Sequence, residues 1–235
     1  MLILPQNLPD NVRAVQARIA AAAAQCGRSV DSITLLAVGK GQDAATLAAA
    51  AGLGLRHFGE NYLQEGLPKV EALRDRGLTW HFIGQAQANK TREIALNFDW
   101  VHTVDRLRIA RRLAEQRSPH LAPLQVCIQL RLGDEPSKGG IAPDEAADLA
   151  AEIRALPRLR LRGVMCLPPP EEDPLAQRRW FAAARHARDA IGARIGGAAL
   201  DTLSMGMSGD LEAAIAAGST LVRIGTAVFG DRPLA

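Results

Sequence analysis

Short apolar runs alternate along this chain with longer stretches in which apolar positions return every three or four residues. The short runs fall near Ile33–Val38, Leu55–Phe58, Thr79–Ile83, Trp100–Val104, Leu124–Leu130, Leu159–Met165, Ala199–Leu203 and Thr220–Ile224, and they read as strands. The helical pattern is clearest over Asp43–Ala51, Tyr62–Arg76, Asp105–Gln116, Pro143–Ala155, Pro174–Ile191 and Asp210–Ala217, with a leading helix around Leu8 to Gln25. Strand and helix alternate at intervals of roughly 20 to 35 residues, the mark of βα units. Eight such units predict an α/β protein: a closed (β/α)8 TIM-type barrel in a single domain over residues 1–235, with an additional N-terminal helix. The one long breaker-rich stretch, Pro168-Pro169-Pro170-Glu171-Glu172-Asp173-Pro174, directly follows the sixth strand, where a barrel keeps a loop at its active face. It reads equally as a lid or as a stiff surface loop.

Composition narrows the class of protein. With 235 residues and 48% hydrophobic content, the chain can bury one core of ordinary size. The formal net charge of +3 is mild, and acids are interspersed among the arginines, as in Glu152-Ile153-Arg154 and Arg185-His186-Ala187-Arg188-Asp189. That mixing describes solvated helix faces and gives no nucleic-acid patch. Cys26, Cys127 and Cys166 are far apart and form no Cys-x-x-Cys pair, which reads as buried structural thiols in a reducing compartment. No run reaches the length of a membrane span, and the N-terminal apolar stretch is too short for a signal sequence, so a cytoplasmic location with no membrane contact is expected.

In a barrel the C-terminal ends of the strands converge on one face, so the polar residues there belong together. Lys40 stands just beyond the first strand, in a chain whose 28 basic residues include only four lysines. The strand period of two puts it on the side of Leu36 and Val38, where an amine can act as a desolvated nucleophile that forms imines. Ser204-Met205-Gly206-Met207-Ser208-Gly209 precedes a helix with an acidic first turn, and Gly225-Thr226 follows the last strand. Each alone reads as a cap or as an anion site, and the pair reads as a phosphate cradle. Arg223 sits inside an apolar strand, an expensive position unless its guanidinium faces a polar pocket. Asn61, Tyr62 and His81 are weaker signals, whereas His102, Met165 and Cys166 read as packing. His57, His81, His102, His120 and His186 form no His-x-x-x-His or Cys/His cluster, and no Gly-x-Gly-x-x-Gly follows a strand, so neither a metal nor a dinucleotide site is expected. The residues alone leave open a phosphate-binding barrel enzyme, such as an aldolase, with Lys40 as its imine-forming lysine.

Ala37-Val38-Gly39-Lys40, Phe58-Gly59-Glu60-Asn61-Tyr62-Leu63-Gln64-Glu65, Trp80-His81-Phe82-Ile83-Gly84, Gln87-Ala88-Asn89-Lys90, Leu203-Ser204-Met205-Gly206-Met207-Ser208 and Val222-Arg223-Ile224-Gly225-Thr226-Ala227-Val228-Phe229-Gly230 resemble, in order and spacing over nearly the whole chain, the pyridoxal phosphate homeostasis proteins. The resemblance implies a barrel like the N-terminal domain of alanine racemase, of pyridoxal phosphate fold type III. In it pyridoxal 5′-phosphate (PLP) is held as an aldimine on Lys40, its phosphate by the Ser-x-Gly-Met-Ser and Arg-x-Gly-Thr segments, and Arg223 faces the pyridine nitrogen. The cofactor-binding set so implied is Lys40, Asn61, His81, Ser204, Met205, Gly206, Met207, Arg223, Gly225 and Thr226, with no catalytic residue.

Two departures stand out. Family members usually flank the lysine with serine and threonine, whereas Gly39 and Gly41 stand here, which removes two hydroxyl donors and predicts a looser backbone and lower cofactor affinity. The approach to Lys138 lacks the family's asparagines, which leaves its role open. An arginine at the pyridine nitrogen weakens carbanion stabilisation, and the chain ends shortly after Gly230, without the racemase's second domain. The expected function is therefore cofactor storage, buffering or delivery without robust turnover, by a protein expected to be a monomer, with apo PLP enzymes or amino acids as partners. The alternative is a PLP-dependent amino-acid racemase or lyase.

Overall fold

The structure, a computed structural model, describes residues 7–133, 139–196 and 200–230. Eight parallel strands close into a barrel in sequence order: β1 (Thr34–Val38), β2 (His57–Glu60), β3 (Thr79–Phe82), β4 (Trp100–Val104), β5 (Leu124–Leu130), β6 (Leu159–Cys166), β7 (Thr202–Ser204) and β8 (Leu221–Ile224). Between them run α2 (Ala44–Gly52), α3 (Leu63–Ala72), α4 (Thr91–Asn97), α5 (Leu107–Gln116), α6 (Ala146–Arg154), α7 (Pro174–Arg194) and α8 (Leu211–Ala216), after a leading α1 (Leu8–Gln25). The expected alternation and the N-terminal helix are present. Bounds move by a few residues, among the strands most at β7, expected over Ala199–Leu203 and found over Thr202–Ser204, and among the helices at α3, which ends at Ala72 rather than Arg76; Ala199 lies outside the described residues. The alternation calls for a helix between β3 and β4 without locating it, and α4 supplies it as seven residues in a polar stretch; α9 (Thr226–Phe229), one turn after β8, had no expectation.

The strand period of two separates two environments. One face of each strand packs against the helices in the main apolar cluster, with Ala37, Phe58, Phe82, Val101, Ile128, Val164, Leu203 and Val222 as members. Fully burying one such side chain stabilises by about 1.5–3 kcal/mol. The other face points into the barrel and is largely polar: His57, His81, His102, Ser204 and Arg223 lie there beside Leu36, Cys127 and Met165. Leu36 pairs in register with both His57 and Arg223, which carries this polar stripe across β2, β1 and β8.

Two of the cysteines meet the expectation of burial. Burial pushes the thiols of Cys127 and Cys166 up to about 12, so both are inert. Cys26 does not: it caps the exposed end of α1. No helix of the described residues is long and apolar enough to cross a membrane, and no cluster of three or more His, Cys, Asp or Glu able to hold a metal occurs among them.

Candidate cofactor site

A cavity of about 320 Å3 opens at the C-terminal end of the barrel, within the size range of small-molecule sites. Val38, Ile83, Met165 and Leu167 form its apolar walls, and Asn61 and Arg223 are its larger polar groups. Ser208, Gly209, Gly225 and Thr226 line one end with backbone and hydroxyls. A second cavity of about 330 Å3 shares Leu167, Met207 and Gly209 with the first and is walled by Pro168–Glu171, Trp180 and Asp210. The proline-rich stretch thus lies at the rim of the site. Burial raises the Asp210 carboxyl above its usual range, against the pull of the Met207 amide bonded to it.

Lys40 stands on the wall of the site. Its side chain is half-buried, with Nζ 3.4 Å from the hydroxyl of Tyr62 and 4.9 Å above that ring. Together with Gln42 and Phe229 it lines a small recess that shares Val38, Gly225 and Thr226 with the main cavity. The peptides on either side of it are clamped from α3. The buried Lys69 donates to the Gly39 carbonyl at 2.8 Å and to Glu60 Oε1 at 2.9 Å, and Glu65 accepts from the Gly41 amide at 2.8 Å. Gly39 is required by this packing: a Cβ there would lie 2.5 Å from Glu60 Oε1 and 3.0 Å from Leu47. Gly41 has φ +74°, the left-handed region that glycine occupies without strain. The glycines therefore accommodate a clamp, in contrast to the looser backbone expected from the missing hydroxyls. Burial lifts the Glu60 carboxyl to about 7 although Lys69 works against the shift, and Glu60 Oε2 has no hydrogen-bond partner.

Arg223 is held deeper in the cavity, on β8, the strand that pairs with β1. Its Nη1 donates to the carbonyl and the hydroxyl of Ser204 at 2.5 and 2.9 Å, and its Nη2 donates to the Cys166 carbonyl at 2.9 Å. It has no salt bridge among the described residues, and burial lowers its pKa.

Of the ten residues expected at the site, Asn61, Met207, Arg223, Gly225 and Thr226 line the main cavity, and Lys40 adjoins it. Ser204 lies behind Arg223, fully buried; Met205 packs in the apolar cluster; Gly206, at φ +97°, presses against Ala214 and accepts from the Arg223 amide through its carbonyl. His81 lies deeper in the barrel, bonded to two other histidines. Ser208, the last residue of the Ser-x-Gly-Met-Ser segment implied to hold the phosphate, lines the cavity with Gly209, although neither is among those ten residues, because a serine before a helix reads equally well as a cap. The Ser208 hydroxyl accepts from the Ala227 amide at 3.4 Å, tying the β7 loop to α9. Met165 was expected to be packing and forms a wall. Lys138 lies outside the described residues.

The donor set fits a phosphorylated pyridine aldehyde. It combines a primary amine at the rim, a planar donor-only guanidinium deeper on the neighbouring strand, apolar walls, and small residues at one end.

The alanine racemase N-terminal domain family matches residues 6–233. The chain is 51% identical over 230 residues to the pyridoxal phosphate homeostasis protein of Escherichia coli K12, covering 96% of this chain and 97% of that protein. It is 52% identical over 226 residues to the protein of the same name from Pseudomonas aeruginosa, covering 96% of each. Among solved structures, PipY of Synechococcus elongatus PCC7942, with PLP bound, is 33% identical with a TM-score of 0.82, over 92% of this chain and 100% of that one. Alanine racemase of Corynebacterium glutamicum, at 19% identity and a TM-score of 0.68, shares the fold over 95% of this chain and 63% of its own. With half of its residues shared over almost their full length, and with the fold in common, the chain belongs to the pyridoxal phosphate homeostasis protein family.

Proposed function

We propose that this protein binds PLP and serves intracellular cofactor homeostasis, storing, buffering or delivering it without robust turnover of its own. The observation that carries the reading is the presence, at one end of the barrel on neighbouring strands, of the Lys40 amine beside the cavity and a buried, donor-only Arg223 within it. When bound, PLP supplies an electron sink whose strength depends on a proton at its ring nitrogen. Lys40 would be the anchor for the aldehyde carbon, since it adjoins the cavity, whereas Lys69 is committed to Glu60 and the Gly39 carbonyl and Lys90 lines a different recess with Tyr62 and Gln87. Arg223 would face the ring nitrogen and, offering only N–H donors, would leave it unprotonated. Ser208, Gly209, Gly225 and Thr226, which line the cavity, would take the phosphate through amides and hydroxyls.

The racemase or lyase reading needs a second proton-transferring group facing Lys40 across the cofactor. Tyr62 stands on the Lys40 side, within hydrogen-bond reach of its amine, which supports holding over turnover. A monomer in the cytoplasm, exchanging PLP with apo-enzymes and amino acids, completes the proposal.

Incubation with PLP, removal of excess and borohydride trapping test the assignment. The pyridoxyl group should map to Lys40, and Lys40→Ala should lose the trapped label while remaining folded. Mapping mainly to Lys69 or Lys90 in the unmutated protein would overturn it. Pyridoxal lacking phosphate should bind far more weakly, because several charge-assisted hydrogen bonds of about 1.5–3 kcal/mol each disappear. Exchange of amino-acid α-protons, followed by NMR in deuterated water, should fall well below the ~1–10³ per second of dedicated enzymes. Brisk exchange would move the protein to the racemase reading.

A further inference from the structure

Three histidines stand in single file through the interior of the barrel. His57 Nδ1 lies 3.0 Å from His81 Nε2, His81 Nδ1 lies 2.9 Å from His102 Nε2, and His102 Nδ1 lies 2.8 Å from the Ser204 hydroxyl that accepts from Arg223. His81 and His102 are fully buried, and His57, at the N-terminal end of β2, is half-buried. We propose that this file of imidazoles, ending on Ser204, is a single-polarity brace that positions Arg223, and that His81 and His102 are positioning residues for the cofactor's ring nitrogen. The proposal rests on the reading of Arg223 given above and extends it to residues that touch no ligand.

The polarity follows from Arg223. A guanidinium only donates, so one lone pair of Ser204 Oγ is taken by Nη1–H. The hydroxyl proton of Ser204 then needs an acceptor, and its other bonded partner is His102 Nδ1. His102 therefore carries its proton on Nε2 and donates to His81 Nδ1. By the same rule His81 carries its proton on Nε2 and donates to His57 Nδ1, and the chain ends on His57 Nε2–H at the half-buried end. The reverse polarity would aim the His102 N–H at an oxygen already receiving the Arg223 proton, and would leave the Ser204 hydroxyl without an acceptor. It would also turn the positive ends of three imidazole dipoles toward a buried cation. A chain of bonds of one polarity strengthens each member, so Ser204 becomes a better acceptor for Arg223.

The surroundings keep the file neutral. Burial pushes His102 down to about 3, assisted by the Arg223 charge above it, and pushes His81 well below the usual histidine range, assisted by the histidines on either side. Trp100 stacks on His81 at 5.3 Å and carries the Arg162 guanidinium over its ring, while Asp99 partly offsets the burial that lowers His57. A neutral file can sit against a guanidinium without repelling it. This also accounts for a run of imidazoles where a barrel ordinarily stacks branched aliphatic side chains.

The first test uses the cofactor-free protein, so it stands whether or not PLP binds. Nitrogen-15 NMR of labelled histidine side chains should find His81 and His102 neutral, with the proton on Nε2, and without titration between about pH 8 and pH 5. A proton on His102 Nδ1 would overturn the proposal. The second test reads the bound cofactor. His102→Leu should weaken PLP retention by about tenfold, the loss of one good hydrogen bond at Arg223, and should change the pH dependence of the bound cofactor's absorbance. His102→Gln keeps an oxygen toward Ser204 and an N–H toward His81, and it should restore both readouts. Should the leucine variant fail to fold, the glutamine variant and the histidine spectra decide. A folded leucine variant with wild-type retention and titration would reduce the file to core packing.

Discussion

The two sides of the cavity are held by opposite means. On the Lys40 side, the amine itself is half-exposed and bonds to the Tyr62 hydroxyl, and order comes from an ion pair behind it, where Lys69 joins Glu60 to the Gly39 carbonyl. On the Arg223 side, the functional group is buried and is itself the centre of the bonding, with three neutral oxygen acceptors and no counter-ion among the described residues. The difference matches what each residue has to do. An amine that captures and releases an aldehyde has to move and change its bonding. A guanidinium that sets the protonation of a ring has to stay fixed. One side therefore depends on a titratable clamp, and the other on neutral dipoles indifferent to physiological pH.

The clamp can be broken most severely at Lys69. Lys69→Met leaves Glu60 buried without its partner, and should cost about 3–5 kcal/mol of stability at pH above 7. The loss should shrink on acidification, as Glu60 takes up a proton. The wild type should already show this group. A carboxyl raised from 4.5 to about 7 holds its proton more tightly in the folded state, so stability falls as pH rises between those values. The drop should amount to about 3 kcal/mol, and it should level off above pH 7. Denaturant unfolding across pH measures both effects, and Glu60→Gln should flatten this part of the profile. An unchanged slope in that variant would mean that other groups carry it.

The Arg223 side should respond less in stability and not at all in this pH dependence. Arg223→Ala orphans the Ser204 and Cys166 oxygens, expected to cost about 2–3 kcal/mol, partly offset because a buried charge no longer has to be desolvated. The fall in stability that Glu60 causes as pH rises toward 7 should persist in this variant, while the Asp210 carboxyl, no longer held down by the guanidinium charge, moves further up. Loss of the fall that Glu60→Gln removes would show that the two sides are coupled through the barrel.

Tyr62→Phe should have the smallest effect. It removes a 3.4 Å contact to an exposed amine but keeps the ring beneath it, so stability should change by less than about 0.5 kcal/mol. Borohydride trapping at Lys40 should persist. Loss of trapping would give the Tyr62 hydroxyl a part in anchoring that its position on the wall does not assign to it.

Hydrophobic periodicity determined the architecture, because a strand buried against helices must show apolar residues on that face, and eight such runs separated by helical patterns leave few alternatives to a closed barrel. The strand-end rule likewise brought Lys40, Asn61, Arg223, Gly225 and Thr226 to one end, since in a parallel barrel every strand finishes on the same face. What one-dimensional pattern could not separate is a polar residue that faces a ligand from one that faces another polar residue. Ser204 and Ser208 stand four positions apart in one small-residue segment, and only the turn after β7 sends the first behind Arg223 and the second to the cavity. His81 had the same ambiguity, because a histidine on an inward strand face is a ligand or a link according to what β2 and β4 place beside it. The clamp on Lys40 was hidden for a related reason: Gly39 and Gly41 read locally as lost donors, whereas the group that replaces them, Lys69, arrives from the next βα unit. Pairing between strands and the docking of α3 are long-range events, so the partners of a buried polar group are decided only when the barrel closes.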